Sequence, residues 1–386
     1  MSDSAHKQRT FIILFIAIFV AMLGVGVIAP TMPIYAKTLG ASGFWLGMIY
    51  ASFSFSRLIF MPIAGHLSDT RGRKAFLILG LLIYALASVG YIWSHSVIQI
   101  AWIRMLHGIG SAMVIPIATA VIGDISPDGK EGRMMGNFQV ALFLGFGAGP
   151  LLGGLVMQTW SINEVFLVMG CMSLFSMLII ARFLPESSES SRRILPERRW
   201  KQLWSECHFR GIFLFRFANA VGRASILSFL PVFADRLQLS PGQIGFLVSL
   251  NIFITAILQR FTGKLADRVS RSLLITTGNT IAALSICILP LAKGLSHLIL
   301  FGIIMGFGSA IAFPAAGAVA TTLGRKHGMG HVMGQFNMAM SIGGITGALL
   351  AGWIMDLLGM NYVFFVSGGI GLLGSICCRT QMGKNA

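Results

Sequence analysis

The chain of 386 residues contains an internal repeat. Residues 65–74 form a charged segment, GHLSDTRGRK, between two long apolar stretches, and residues 263–271 repeat it in weaker form as GKLADRVSR. One offset of 198 residues relates the two copies and continues without a gap along much of the chain. Pairs at this offset include Pro33 and Pro231, Gly108 and Gly306, Pro116 and Pro314, and Gly145 and Gly343. The chain is therefore predicted to consist of two copies of one structural unit.

Composition places both halves in a lipid bilayer. With 55% hydrophobic and 11% charged residues, the chain has too little polar surface to cover a water-soluble globule. Twelve apolar runs reach the roughly 20 residues that cross a ~30 Å hydrocarbon core. They lie at about 11–36, 44–66, 75–94, 97–122, 134–158, 162–184, 211–234, 242–263, 272–292, 296–322, 332–357 and 360–378. The predicted fold is an all-α membrane protein of twelve transmembrane helices in two pseudo-symmetric six-helix bundles.

The predicted domain boundary lies in the middle of the chain. Residues 1–184 form the N-terminal half, residues 185–210 a cytoplasmic linker, and residues 211–386 the C-terminal half. The linker is rich in Ser, Glu and Arg without an apolar period, which is typical of a solvated connection. We expect one short surface helix in it, around Trp200 to Trp204.

The distribution of cations predicts the orientation. Of the 29 Lys and Arg residues, five fall inside predicted helices, and only Lys37, Arg236 and Lys293 fall in segments on the outside if the N-terminus is cytoplasmic. This is the positive-inside bias, and it accounts for the net charge of +16 without nucleic acid. The prediction is a multi-pass protein of the bacterial inner membrane with both termini cytoplasmic. The first apolar run is too long for a cleaved signal sequence.

Neither an enzyme nor a metal protein is indicated. The five cysteines show no CxxC spacing, so the sequence predicts neither a zinc site nor a disulfide framework. No GxxxxGK[ST] motif occurs, so hydrolysis of ATP by this chain is not expected. We predict no cofactor.

Three motifs carry a family resemblance. Residues 65–74, between helices 2 and 3, resemble the signature loop of the major facilitator superfamily. Helix 4 contains Arg104-x-x-His107-Gly108-x-Gly110, which is similar to a motif of the drug-proton antiporter branch. Helix 5 contains Gly145-x-x-x-Gly149-Pro150-x-x-Gly153-Gly154, which resembles the antiporter motif associated with export. The resemblance implies a monomeric secondary transporter that moves small molecules by alternating access.

The glycines and charged residues of these motifs have predicted roles in gating and conformational change. Gly65 and Gly72 are predicted to allow a tight turn, while Asp69 pairs with a cation or caps a facing helix. The resemblance implies that Asp69 faces the start of helix 11, near residues 331–334, and the region of Arg133, and stabilises the outward-open state. The predicted gating and conformational residues are Gly65, Asp69, Gly72, Arg73, Asp267, Arg271, Gly145, Gly149, Pro150, Gly153 and Gly154.

The glycines of helix 5 recur every four residues and therefore share one helical face. We expect Gly145, Gly149 and Gly153 to pack against helices of the opposite half, with a generic small-residue interface as the alternative. Pro150 removes a hydrogen bond and bends the helix.

Charges inside the predicted helices point to the transported molecule. Five arginines (Arg57, Arg104, Arg216, Arg223 and Arg260) lie within them, whereas none of the 13 acidic residues does so at depth. Such a charge is costly unless it faces a cavity or a partner. Arg216 and Arg260 lie close to cytoplasmic helix ends, where a snorkelling side chain is the favoured interpretation. The predicted substrate-binding residues are Arg57, Arg104, His107, Asn137, Arg223 and Asn251, and the predicted proton-coupling residues are Asp124 and His107.

These features favour proton-coupled efflux of small organic molecules. The arginine surplus favours a second hypothesis, the uptake or exchange of an organic anion. A passive pore or a membrane receptor is the alternative outside transport, and the two-fold repeat with bendable helices argues against it.

Overall fold

The computed structural model describes residues 3–126, 131–185, 200–265 and 269–383. These residues contain helices and no strand. The α-helices are α1 Asp3–Val27, α2 Thr31–Thr38, α3 Gly43–Arg71, α4 Arg73–Ile92, α5 Val97–Ile125, α6 Glu131–Thr159, α7 Ile162–Phe183, α8 Trp200–Ser205, α9 Cys207–Arg236, α10 Pro241–Leu265, α11 Arg271–Ile288, α12 Leu295–His327, α13 Met329–Leu358 and α14 Met360–Met382. A 3-10 turn, Leu289–Leu291, follows α11.

Twelve segments among these residues are long and apolar enough to cross a membrane, and the prediction of a twelve-helix membrane protein is confirmed. The first span, Lys7–Thr38, is interrupted between Val27 and Thr31. Pro30 lies in the interruption, where it has no N–H for a helical hydrogen bond. Backbone hydrogen bonds from Ala29 to Gly26 (3.0 Å) and from Met32 to Ile28 (2.9 Å) keep the chain compact there.

The chain divides into two compact units. Unit 1 comprises Met1–Gly40, Ser52–Arg192 and Ser240–Ser249, and unit 2 comprises Ala41–Ala51, Arg193–Leu239 and Leu250–Ala386. The first turns of α3 therefore belong to unit 2, and the first turns of α10 belong to unit 1. The predicted halves did not include this exchange of short segments.

The repeated glycines make equivalent contacts in both units. A Cβ atom added to Gly80 of α4 would lie 2.9 Å from the carbonyl oxygen of Gly110 in α5. In unit 2, a Cβ atom added to Gly278 of α11 would lie 2.6 Å from the carbonyl oxygen of Gly308 in α12. Both pairs are related by the sequence offset of 198 residues. The repeat in sequence is therefore a repeat of helix packing.

The short helix α8 lies where the sequence predicted a surface helix, and it is anchored to unit 2. Trp204 donates a hydrogen bond from Nε1 to Oε1 of Gln335 (3.0 Å). Glu206, directly after α8, accepts from Nζ of Lys326 (2.5 Å) and lies 3.2 Å from Nε2 of His327. These bonds hold the pKa of Glu206 below its ordinary value.

Candidate functional site

An ionic cluster surrounds the turn between α3 and α4. Arg73 donates from Nη2 to Oδ1 of Asp69 at 3.2 Å, and its Nη1 forms an ion pair with Asp124 at the end of α5. Asp69 is mostly exposed, whereas the Arg73 side chain is mostly buried. Two predicted site residues, Asp69 and Asp124, are thus joined by a third, Arg73. The predicted contact between Asp69 and residues 331–334, at the start of α13, stays a prediction.

The turn itself depends on Gly72. Its φ is +94°, a left-handed value that favours glycine. The prediction that Gly65 also shapes the turn is wrong, because α3 continues as a helix to Arg71 and Gly65 lies inside it.

The described residues of the second copy contain an equivalent of the Arg73–Asp124 contact. Arg271, the counterpart of Arg73, donates from Nη1 to Oγ1 of Thr322 at 3.0 Å. Thr322 stands at the position equivalent to Asp124 under the offset of 198 residues. The other predicted residue of this copy, Asp267, lies outside the described residues. At the position of Asp124, the second copy therefore has a neutral hydroxyl group instead of a carboxylate.

The glycine face of α6 packs on α1. Gly145 lies against the carbonyl oxygen of Phe19, and Gly153 lies against that of Val27. A Cβ atom added to Gly149 would lie 2.5 Å from Cα of Gly26. The expectation that these glycines contact the opposite half is therefore wrong. The four-residue spacing defines a face correctly, but α1 of the same half covers it.

Gly154 belongs to a different face of α6. One residue along a helix rotates the side-chain direction by about 100°, and Gly154 lies against the carbonyl oxygen of Pro241, within the segment of α10 that belongs to unit 1. The carbonyl oxygen of Pro150 meets Gly245 in the same segment. Oε1 of Gln158 accepts from the backbone N–H of Gly242 at 3.1 Å.

The equivalent contact in unit 2 is made by an acid. Asp356, near the end of α13, accepts hydrogen bonds from the backbone N–H groups of Gly43 (2.6 Å) and Phe44 (2.8 Å). These N–H groups begin α3 and have no partner within the helix. Gly47, one turn further, lies against the carbonyl oxygen of Ala348. The carboxylate therefore caps α3 from α13.

His107 lies in an aromatic enclosure within unit 1. It is completely buried, and its Nδ1 lies 3.2 Å from the hydroxyl oxygen of Tyr91. The imidazole makes edge contacts with Tyr84 and Phe53, at centroid distances of 4.7 and 5.3 Å. The guanidinium carbon of Arg104 lies 5.4 Å from the Phe53 ring centroid. The structure thus brings together two predicted site residues, Arg104 and His107, around Phe53.

The remaining predicted binding residues lie on four helices, two in each unit. Arg57 is half-buried in α3, while Asn137 in α6 and Arg223 in α9 are exposed. Asn251 donates from Nδ2 to the carbonyl oxygen of Gly302 at 3.2 Å, which joins α10 to α12. Their roles in binding stay predictions.

Arg216 has a different environment from the one predicted. Its guanidinium carbon lies 5.0 Å from the ring centroids of both Phe313 and Phe336. Nη2 also donates to Sδ of Met340 at 3.0 Å. The side chain therefore packs between aromatic rings of α12 and α13 instead of simply extending towards the helix end.

Comparison with known proteins identifies the family. The sequence model of the Major Facilitator Superfamily matches residues 14–215 and 212–382. The chain belongs to the major facilitator superfamily. The family model matches the chain twice, as the internal repeat predicts. Members of this family are transporters and not enzymes, which was also the prediction from the sequence.

Relatives of this major facilitator protein cover nearly its whole length. An uncharacterised transporter of the superfamily from Methanocaldococcus jannaschii is 30% identical over 92% of this chain and 94% of its own. Multidrug resistance protein 2 of Bacillus subtilis is 28% identical over 97% and 96%. Among solved structures, the nucleoside transporter NupG superposes with a TM-score of 0.83 at 13% identity, over 97% of this chain and 100% of that one. The last likeness concerns the fold alone.

Sequence reasoning missed three contacts of this transporter. The Arg73–Asp124 pair and the Asp356 cap each have a counterpart at the offset of 198 residues, Arg271–Thr322 and Gln158–Gly242 respectively. Closer comparison of the two copies would have marked these positions as equivalent, although not as contacts. No comparable sequence feature predicted the contact of Arg216 with aromatic rings.

We predict that Asp69→Asn impairs transport while the protein still inserts and folds. Asp69 is 56% exposed, and an exposed ion pair stabilises a protein by at most about 1 kcal/mol. The change nevertheless removes one of the two carboxylates that orient Arg73. The measurement is the initial rate of substrate transport in proteoliposomes, normalised to the amount of folded protein. The control is His66→Asn, which changes an exposed residue near the same end of α3. Wild-type transport rates for both variants would show that the charges of the turn only set the orientation of the protein in the membrane.

Proposed function

We propose that this transporter exports small organic molecules across the bacterial inner membrane in exchange for protons. It would act as a monomer, by alternating access, with both termini on the cytoplasmic side. The observation that carries the proposal is the glycine face of α6, which packs against the backbone of α1 at Gly149 and matches the antiporter-like sequence pattern. The name of the Bacillus subtilis relative, a multidrug resistance protein, supports export of drug-like compounds.

The ionic cluster suggests how protons would enter the cycle. Asp124 and His107 are the proposed proton-coupling residues. Protonation of Asp124 would remove the negative charge that faces Arg73, so the contact between the end of α5 and the α3–α4 turn would weaken. A proton on this carboxylate would thereby favour a rearrangement of the helix ends.

Flux measurements in proteoliposomes test the proposal. The purified protein is reconstituted, a pH gradient is imposed, and accumulation of a panel of neutral, cationic and anionic dyes is followed with and without an uncoupler. Proton-coupled efflux predicts accumulation against the dye gradient that the uncoupler abolishes. Equilibration without accumulation would indicate a passive pore, and binding without flux would indicate a receptor.

The second candidate is the uptake or exchange of an organic anion. It is favoured by the guanidinium groups of Arg104 and Arg216, which lie within spanning helices beside aromatic rings. In the same vesicles, this candidate predicts flux of an anion that persists without a pH gradient when a second anion is present on the other side. Failure of anions to exchange would exclude it.

A further inference from the structure

His107 of α5 is held by aromatic side chains from two neighbouring helices. The rings of Tyr84 and Tyr91 belong to α4, and the ring of Phe53 belongs to α3. Phe53 and Tyr84 stand nearly perpendicular to the imidazole, at interplanar angles of 80° and 78°. His107 is completely buried, so the imidazole is fixed in position and its two nitrogen atoms have distinct surroundings.

The Nδ1 atom faces a hydroxyl group. It lies 3.2 Å from the hydroxyl oxygen of Tyr91, which is also completely buried. The guanidinium group of Arg104 lies beside the same hydroxyl, but arginine has donors and no acceptor. Among the described residues, the acceptor for the hydroxyl proton of Tyr91 is therefore Nδ1. That bond requires a lone pair on Nδ1, which leaves the proton of a neutral imidazole on Nε2.

The Nε2 atom is buried and has no hydrogen-bond partner within the part of the chain that the structure describes. Aromatic faces accept weakly from an N–H group, but they offer no proton to a lone pair. The other hydroxyl group of the enclosure, that of Tyr84, lies beside Ser111. A protonated Nε2 therefore suits this aromatic surrounding better than an unprotonated one, in agreement with the direction of the bond at Nδ1.

The repeat indicates that helix packing alone does not require this hydrogen bond. At the offset of 198 residues, the second copy has Leu289 in place of Tyr91 and Met305 in place of His107. Both replacements are apolar, and α11 and α12 of the second copy still make the glycine contacts equivalent to those of α4 and α5. The polar pair is thus a feature of unit 1 that the shared packing does not explain.

We propose that Tyr91 is a positioning residue for His107: its hydroxyl donates to Nδ1 and holds the imidazole in the neutral tautomer with the proton on Nε2. This proposal rests on the proposed function, in which His107 takes part in proton coupling. A transported proton would add to the lone pair of Nδ1 after the Tyr91 hydroxyl had turned away, while the Nε2–H bond stays intact. Release of that proton from Nδ1 would restore the neutral ring and its bond with Tyr91.

Nitrogen NMR tests the tautomer without requiring transport. The full-length protein, labelled at histidine with a heavy nitrogen isotope, is measured in lipid nanodiscs at neutral pH. The spectrum of His107→Gln identifies the signals of His107 among the eight histidines. We expect an unprotonated Nδ1 and a protonated Nε2 in the wild type. Tyr91→Phe keeps the ring contact with Phe166 and should change the tautomer ratio about two- to tenfold towards Nδ1–H, as expected for loss of one neutral hydrogen bond.

The matched control is Tyr84→Phe, which removes a hydroxyl from the same helix. The Tyr84 ring is nearer to the imidazole, at a centroid distance of 4.7 Å against 6.2 Å for Tyr91, but its hydroxyl lies beside Ser111. Tyr84→Phe should therefore keep the wild-type tautomer ratio. Proton-driven dye accumulation in proteoliposomes should fall at least about twofold in Tyr91→Phe and stay at the wild-type level in Tyr84→Phe.

Three outcomes would overturn the proposal: a protonated Nδ1 in the wild type, equal tautomer ratios in Tyr91→Phe and Tyr84→Phe, or wild-type dye accumulation by Tyr91→Phe. Size-exclusion profiles establish that each variant is folded, and the wild-type spectrum tests the tautomer even where a variant does not fold. The predicted tautomers without proton-driven accumulation by the wild type would remove the proposed export function and leave the hydrogen bond between Tyr91 and His107 in place.

Discussion

Gly149→Leu is expected to abolish transport. A Cβ atom at this position would lie 2.5 Å from Cα of Gly26 and 2.6 Å from its carbonyl carbon, which are backbone atoms that cannot rotate away. Overpacking in a well-packed core costs about 1–3 kcal/mol or more, and here the whole helix α6 would have to move from α1. The measurement is proton-driven dye accumulation in proteoliposomes, together with the yield of folded protein.

The same helix offers a matched control. Gly136 also lies in α6, but a Cβ atom there would meet nothing within 4 Å, so Gly136→Leu should transport at the wild-type rate. Gly149→Ala should show an intermediate loss, because it adds a single methyl group at the contact. Wild-type accumulation by Gly149→Leu would mean that the close contact between α1 and α6 is not required in the transport cycle.

The fold was largely predictable because the sequence features that define its helices are local. Apolar runs of sufficient length define the spanning helices, and the repeated residues indicate that the helix contacts recur. Even the surface helix α8 was anticipated from the region around Trp200. The break before Thr31 coincides with Pro30, whose effect on a helix depends on the residue itself.

The partners of each helix face were less predictable. Periodicity showed that Gly145 and Gly149 share a face, but it contained no information on which helix covers that face. The same limit applies to Arg216, since its distance from the helix end says nothing about Phe313 and Phe336, which follow about a hundred residues later in the chain. Contacts between distant helices depend on the tertiary arrangement, which residue spacing within one helix does not encode.

The exchange of short segments between the units was missed for a related reason. The predicted boundary followed composition, which changes in the linker and is uniform along α3. Nothing in the apolar character of residues 41–51 distinguishes them from the remainder of that helix. Their assignment to unit 2 follows from specific contacts, above all the hydrogen bonds of Gly43 and Phe44 with Asp356.

Asp356→Ala is expected to release the beginning of α3 from α13. The carboxylate accepts two backbone hydrogen bonds, of 2.6 and 2.8 Å, and its negative charge opposes the positive end of the α3 dipole. Loss of hydrogen bonds to a charged group costs about 1.5–3 kcal/mol. If one state of the transport cycle contains this cap and the other does not, the equilibrium between them shifts about tenfold or more. Double electron–electron resonance between labels at Ala41→Cys and Leu358→Cys, in a background whose five native cysteines are replaced by Ser, measures the shift.

The pseudo-equivalent position provides the decisive control for the Asp356 cap. Gln158 occupies the place of Asp356 in the other copy, but it accepts one bond from Gly242 at 3.1 Å and carries no charge. A neutral hydrogen bond contributes about 0.5–1.5 kcal/mol, so Gln158→Ala should have a smaller effect on transport than Asp356→Ala. In Asp356→Asn, the strength of the contact with the start of α3 should be closer to that of the Gln158–Gly242 contact, because Asn keeps an acceptor oxygen and loses the charge. Equal transport losses in Asp356→Ala and Gln158→Ala, or an unchanged distance distribution in Asp356→Ala, would show that the acid does not determine the strength of the contact.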